Sequence, residues 1–209
     1  MFDFLKKGTR IDVTSPALNE EEKARRLPPG QYLTDKFPVL HYGSVPRFNE
    51  ATWDFRVFGL VDQEKRWTWA EFQRLPTQQV TRDIHCVTHW SKYDTAWEGV
   101  PLAALLREQV GVKAEARFVL AHADNGYTTN VPLELVLQPD TLLAYKYAGQ
   151  PLTPDHGFPM RLFIPTRYFW KSAKWLRGLE FLAQDRLGFW EQNGYNNNAD
   201  PWREERYSF

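Results

Sequence analysis

Cys86 is the sole cysteine of this 209-residue chain, and it lies in the segment Asp83-Ile84-His85-Cys86-Val87-Thr88-His89-Trp90. A single thiol forms no internal disulfide, no all-cysteine zinc site and no iron–sulfur cluster. Three roles remain: an inert core residue, a nucleophile, or one thiolate ligand to a metal whose other ligands come from elsewhere. Zinc would need His85 or His89 as well. Strand alternation sets His85 on the face opposite Cys86, and no fourth ligand of suitable spacing follows. A hydrolase would need a histidine base; His41, His122 and His156 are candidates, and spacing selects none of them.

A second cluster runs through Asp155-His156-Gly157-Phe158-Pro159-Met160-Arg161 and on to Arg167, Lys171, Ser172 and Lys174, just before Trp175. An arginine fork, ammonium groups and backbone N–H groups from an irregular loop are what a phosphate requires. A solvated basic loop is the plainer reading. The interleaved Phe158, Phe163, Tyr168, Phe169, Trp170 and Trp175 weigh against it, because a solvated loop has no need of so many large aromatics.

Several elements must position these groups. Trp53 to Phe58 alternates and stops at Gly59, which predicts a strand and turn. Thr68-Trp69-Ala70-Glu71 has capping-box spacing for a short helix closed by Pro76. Val80, Arg82, Ile84 and Cys86 are predicted to share one strand face, with Cys86 at the carboxyl end and a Trp/Gly/Pro turn beyond it. Pro101, the Leu102, Leu105, Leu106 stripe and Gly111 predict a helix over 101–110. Further strands are predicted over 116–121, 142–147, 161–164 and 179–182, with a polar turn at 124–127 and a short helix opened by Pro132. Strands and helices mix without regular βαβ alternation, so the fold class is α+β. Residues 1–52 are polar and proline-bearing and read as an arm packed on a body over 53–187. The aromatic and charged stretch 188–209 reads as a lid-like tail.

Acidic and basic residues balance at 26 each, which argues against nucleic acid or an anionic membrane as partner. No window reaches a membrane span and no export signal is evident, so the expected location is the cytoplasm.

Taken together, the two clusters resemble the molybdopterin-binding domain of the sulfite oxidase superfamily. Its members carry a single cysteine after a strand and then a Trp-x-Gly-Val-x-Leu segment, here Cys86 and Trp97 to Leu102. A glycine-tyrosine turn follows at Gly126-Tyr127, then Ala148-Gly149-Gln150-Pro151-Leu152, His156 to Arg161, and Lys174-Trp175. The ordered set runs from about Phe37 to Tyr195. It implies a mixed β-sheet domain holding a molybdenum-molybdopterin cofactor, with Cys86 as the protein's metal ligand. It assigns cofactor binding to His41, Tyr42, Asp124, His156, Arg161, Ser172, Ala173 and Lys174, and puts Tyr195 near the metal as a catalytic residue.

The implied activity is oxygen-atom transfer to or from a small sulfur- or nitrogen-containing substrate. The chain carries no Cys-x-x-Cys-His haem motif and no Gly-x-Gly-x-x-Gly fingerprint, so the electrons would pass to or from a separate carrier. Sulfite-oxidising members use two arginines where this chain has Ser91 and Val39; Arg47, Arg82 or Arg203 would have to replace them. The segment Cys86-Val87-Thr88-His89-Trp90-Ser91 is similar to bacterial members that reduce sulfoxides. A cofactor-free binding module and a cysteine hydrolase are the alternatives. Oligomeric state is open.

Overall fold

The computed structural model describes residues 19–209. The first 18 residues of the expected arm lie outside the described residues. A helix α1 (Glu20–Arg26) and a short strand β1 (Tyr32–Leu33) open the fold, followed by β2 (Asp54–Gly59), β3 (Lys65–Thr68) and α2 (Trp69–Phe72). Thr68 and Glu71 form the reciprocal cap that their spacing predicts. The chain continues through β4 (Gln78–His85), β5 (Trp90–Pro101), α3 (Leu102–Leu105), β6 (Phe118–Ala123), β7 (Thr128–Pro132) and α4 (Leu133–Val136). It closes with β8 (Leu142–Tyr147), β9 (Gln150–Pro151), β10 (Arg161–Phe163), β11 (Leu176–Leu182) and α5 (Phe189–Gln192).

The strands form two mixed sheets, an α+β architecture as expected. One has the order β1-β5-β8-β10, with β4 added on β5 and β9 on β8; the other has the order β3-β2-β11-β6-β7. Pairing is antiparallel except at β1 with β5 and at β11 with β2. Phe55, Val57, Leu102, Leu106, Val119, Leu162 and Leu179 belong to the larger core cluster and are removed from solvent. A second cluster gathers Ile84, Cys86, Trp90, Trp97, Phe163, Tyr168 and Phe169. Trp97 stacks on Phe163 with ring centroids 4.6 Å apart.

Three local expectations change. The Trp/Gly/Pro stretch after Cys86 is not a turn but the end of β5, which is 12 residues long. Gly99 permits this: an added Cβ would lie 2.7 Å from the Ala144 Cα and closer still to the Leu143 carbonyl of β8. Arg82 does not share the buried face of Val80 and Ile84. The β4–β5 register shifts between Arg82 and Ile84, and Arg82 turns outward to pair with Asp140 at 2.8 Å. The predicted 101–110 helix is one α turn, Leu102–Leu105, that widens into a π turn over Leu106–Val110 before Gly111 ends it at φ 72.

Candidate active site

Strand β4 ends at His85, and the chain turns back into β5 through Cys86, Val87, Thr88 and His89. The Cys86 N–H donates to the Trp90 carbonyl at 2.8 Å, and the Cys86 carbonyl accepts from His89 N–H at 3.1 Å. His89 sits at φ 72, which tightens the turn. Gln31, next to β1, donates to the same Cys86 carbonyl at 3.1 Å. Cys86 is 8% exposed, and its Sγ lies 3.1 Å from the Thr88 hydroxyl. Burial pushes the thiol up, opposed by the bonds to Thr88 and the charge of Arg206. No histidine appears among its hydrogen-bond partners. His85 turns instead to the buried Ser91, with Nδ1 2.8 Å from Oγ.

Cys86 opens into a cavity of about 320 Å³. Of the residues singled out from sequence, His41, Tyr42, Cys86, His156, Arg161, Ser172, Ala173, Lys174 and Tyr195 all line it. They come from the arm, the turn after β4, the loop between β9 and β10, the start of β10, the loop between β10 and β11, and the tail. The fold therefore brings together groups up to 154 positions apart in sequence, His41 and Tyr195. Among the described residues, no group of three or more His, Cys, Asp or Glu side chains forms a metal cage.

Arg161 starts β10 and is 3% exposed. Its Nη1 donates to the His156 carbonyl at 3.1 Å and its Nη2 to the Ser172 carbonyl at 2.6 Å, while Nε has no partner. Its guanidinium carbon lies 4.2 Å from the Phe169 ring centroid. Desolvation lowers its pKa to about 9, with no carboxylate among the groups that oppose the shift. Lys174 donates to the Leu40 and Asp155 carbonyls at 2.7 and 2.8 Å. Burial, then the charge of Arg161, lower it to about 7. His156 stacks on Phe37 at 3.9 Å between centroids; burial, Arg161 and Lys174 lower it to about 4. Gly157, at φ 108, lets this loop close on Lys174, whose Cβ would lie 3.1 Å from any added methyl. The Asp155 carboxylate opposes the shifts of Lys174 and His156 but not that of Arg161; a buried Arg161 without a carboxylate, beside the half-buried Lys174, forms a receptor for an anion.

The end of the cavity beside Cys86 is aromatic. Tyr195 sits edge-on to Trp170 at 5.1 Å and against Trp190 at 4.8 Å, and its phenol is raised by burial, by Tyr207 and by Cys86. Tyr127, Trp170 and Trp190 complete walls that sequence reasoning had not assigned; the aromatic density of the tail was the signal for Trp190. His41 Nδ1 lies 2.9 Å from the Gly43 carbonyl, and Tyr42 packs on Phe189 at 4.4 Å.

Asp124 is placed elsewhere. It pairs with Arg177 at 3.3 Å and lines a separate small pocket with Arg47 and Trp53, while its N–H donates to the Trp175 carbonyl. Its carboxyl is raised by burial, opposed by Arg177. The three arginines considered as replacements at Val39 and Ser91 do not reach the main cavity either. Arg47 lines the small pocket, Arg82 pairs with Asp140, and Arg203 pairs with Glu205 at 3.2 Å. Ser91 is fully buried and donates to Gln31 Oε1 at 3.1 Å.

Comparison with known proteins shows the family. The family described as the oxidoreductase molybdopterin binding domain matches residues 42–190. The chain is 46% identical over 191 residues to the uncharacterized oxidoreductase YuiH of Bacillus subtilis (strain 168), covering 91% of this chain and 96% of that protein. It is 36% identical over 172 residues to the putative protein-methionine-sulfoxide reductase subunit YedZ1 of Azospira oryzae, covering 80% of this chain and 64% of that one. An NADH nitrate reductase of Phaseolus vulgaris is 28% identical over 204 residues, of which this chain spans 22% of the length. The sulfane dehydrogenase SoxCD structure from Paracoccus pantotrophus superposes with a TM-score of 0.65 over 91% of this chain and 58% of that one, at 18% identity, and so speaks to the fold. Among the described residues no helix is long and apolar enough to cross a membrane. The chain thus belongs to the molybdopterin-binding oxidoreductases of the sulfite oxidase superfamily, whose cofactor is molybdenum-molybdopterin.

Proposed function

We propose that this protein is an oxygen-atom-transfer oxidoreductase that acts on a small, uncharged sulfur- or nitrogen-containing substrate and exchanges electrons with a separate carrier. One observation carries the reading: the lone Cys86, the buried Arg161 that no carboxylate neutralises, and Lys174 line the same cavity. The donor set fits the cofactor. A soft thiolate suits molybdenum, and a buried arginine with an unpartnered Nε suits the cofactor's phosphate. The thiol, held up by burial, is deprotonated on metal binding.

When bound, the cofactor supplies the two-electron chemistry, and the protein supplies binding, orientation and exclusion of water. Cys86 is the protein's ligand to the metal. Arg161 and Lys174 hold the phosphate, with backbone groups of Ser172 and Ala173 beside them. His156, fixed by its stack on Phe37, and His41 and Tyr42 from the arm contact the pterin. Tyr195 offers its hydroxyl to the substrate oxygen, and Trp170 and Trp190 close the space around it.

In the reducing direction, an S-oxide takes up two electrons from the carrier and two protons from solvent and leaves as thioether and water. The oxidising direction runs in reverse. The aromatic wall at Cys86, with Arg47, Arg82 and Arg203 all elsewhere, favours an uncharged oxide over a small dianion. The relative named as a methionine-sulfoxide reductase subunit adds weight to that choice. A cysteine hydrolase is disfavoured, because Thr88 and not a histidine meets the Cys86 thiol.

The test is elemental analysis of the full chain, made in cells able to synthesise the cofactor, beside Cys86→Ser. Near-stoichiometric molybdenum and pterin are expected, with turnover of small sulfoxides or N-oxides by an artificial electron donor lost in the variant. A folded wild-type protein without molybdenum refutes the reading.

A further inference from the structure

Arg206 belongs to the tail, yet its guanidinium is buried against the Cys86 turn, and the residue is 6% exposed. Nη1 donates to the Val87 carbonyl at 2.7 Å, the residue after Cys86. Nη2 reaches the Pro29 and Gly30 carbonyls at 3.4 and 3.3 Å. The guanidinium carbon lies 4.9 Å from the centroid of the Tyr168 ring. Its carboxylate neighbour, Glu204, stands off at 3.7 Å with a side chain 49% exposed, so the charge is only partly neutralised. Gly30 makes room: at φ +66, an added Cβ would lie 3.1 Å from Nη2 and would collide with the Glu204 carboxylate. The Gly30 carbonyl also meets His89 Nδ1 at 2.7 Å, so arm, tail and cysteine turn converge on one point.

We propose that Arg206 is a positioning residue for Cys86: it fixes the Val87 carbonyl next to the residue that would hold the metal and sets a buried cation against that turn, which would raise the potential at which the metal accepts electrons. The inference rests on the molybdenum reading above. A positive charge stabilises the more negative, reduced state of a nearby centre, and burial weakens the screening of that charge. Groups behind a metal ligand set its orientation and tune the metal in this way.

The experiment is an EPR-monitored redox titration of the molybdenum-loaded full chain, with Arg206→Gln, Arg206→Lys and Glu204→Gln beside wild type and molybdenum content measured for each. Arg206→Gln is expected to lower the molybdenum midpoint potential and change the EPR signal. Arg206→Lys restores the potential but not the whole signal, because it returns the charge without the fork. Glu204→Gln removes the exposed counter-charge and shifts the potential upward; being at the surface, it reports even if Arg206→Gln fails to fold. A loaded Arg206→Gln protein with wild-type potential and signal, or no upward shift in Glu204→Gln, overturns the role of Arg206 alone. A wild-type chain without molybdenum overturns this inference together with the proposed function.

Discussion

Lys171 Nζ lies 2.6 Å from Glu191 Oε1, with both side chains essentially removed from solvent at 1% and 0% exposure. Glu191 Oε1 also accepts from the Trp170 indole at 2.9 Å and from the Thr129 hydroxyl at 2.9 Å, and Lys171 donates to the Asn130 carbonyl at 2.8 Å. The pair joins α5 of the tail to the loop between β10 and β11, and so ties together the elements that carry Trp190 and Trp170. Removing one partner strands a buried charge. Lys171→Met or Glu191→Gln is expected to cost about 3–5 kcal/mol, read from denaturant melts of the cofactor-free protein. A cost below about 1 kcal/mol would mean that water reaches the pair.

The cation cluster makes the stability of the empty protein depend on pH. Lys174 has its pKa lowered from 10.5 to about 7, so between those values the unfolded chain holds a proton that the folded chain has released. Stability therefore rises with pH across that window. His156 acts with the same sign between about 4 and 6.5. Thermal melts of cofactor-free protein from pH 7 to 10 should climb, and Lys174→Met should flatten the climb; an unchanged slope in the variant argues against a half-buried Lys174 with a lowered pKa.

Arg161 separates stability from cofactor retention. Its charge is buried without a carboxylate, so Arg161→Met removes a desolvation cost along with two bonds to carbonyls. The empty variant is expected to melt within about 2 kcal/mol of wild type. Its molybdopterin content should fall roughly tenfold or more, as follows from losing a charge-assisted phosphate contact of about 1.5–3 kcal/mol. Full cofactor content in a folded Arg161→Met protein would place the phosphate elsewhere.

Asp124 offers a contrast. Because it faces Arg177 rather than the main cavity, Asp124→Asn should leave cofactor content unchanged and cost about 1 kcal/mol or less for a partly exposed pair. A sharp drop in bound pterin would restore it to the site.

Much of this was legible where the signal is local. The cap at Thr68, strand β8 over Leu142–Tyr147, the Asp124–Gly126 turn and the helix after Pro101 follow from spacing within a few residues. Among the cavity residues, His156, Arg161, Ser172 and Lys174 were legible because basic and small residues stand close together around Arg161, whereas His41, Tyr42, Ala173 and Tyr195 followed only from the family resemblance. Long β5 was not, because Gly99 and Pro101 weaken a strand on propensity and are tolerated only by close packing and pairing with β8. Arg206 was invisible for a related reason. Its contacts reach Val87 and Gly30, 119 and 176 positions away, and no periodicity encodes such a closure.

The parallel pairing of β1 with β5 gives the arm a further use. Tyr32 pairs with Trp90 and Leu33 with Ser91, so the Tyr32 N–H donates to the His89 carbonyl at 2.8 Å and the Thr34 N–H to the Ser91 carbonyl at 2.9 Å. These two amides lie more than fifty residues from Cys86 in sequence, yet their bonds end on the turn that presents it and on the start of β5 just beyond. Their hydrogen-exchange lifetimes are a built-in clock for that turn. Any event that loosens or locks the cysteine loop is written into the protection of Tyr32 and Thr34, on residues that no cofactor or substrate needs to touch.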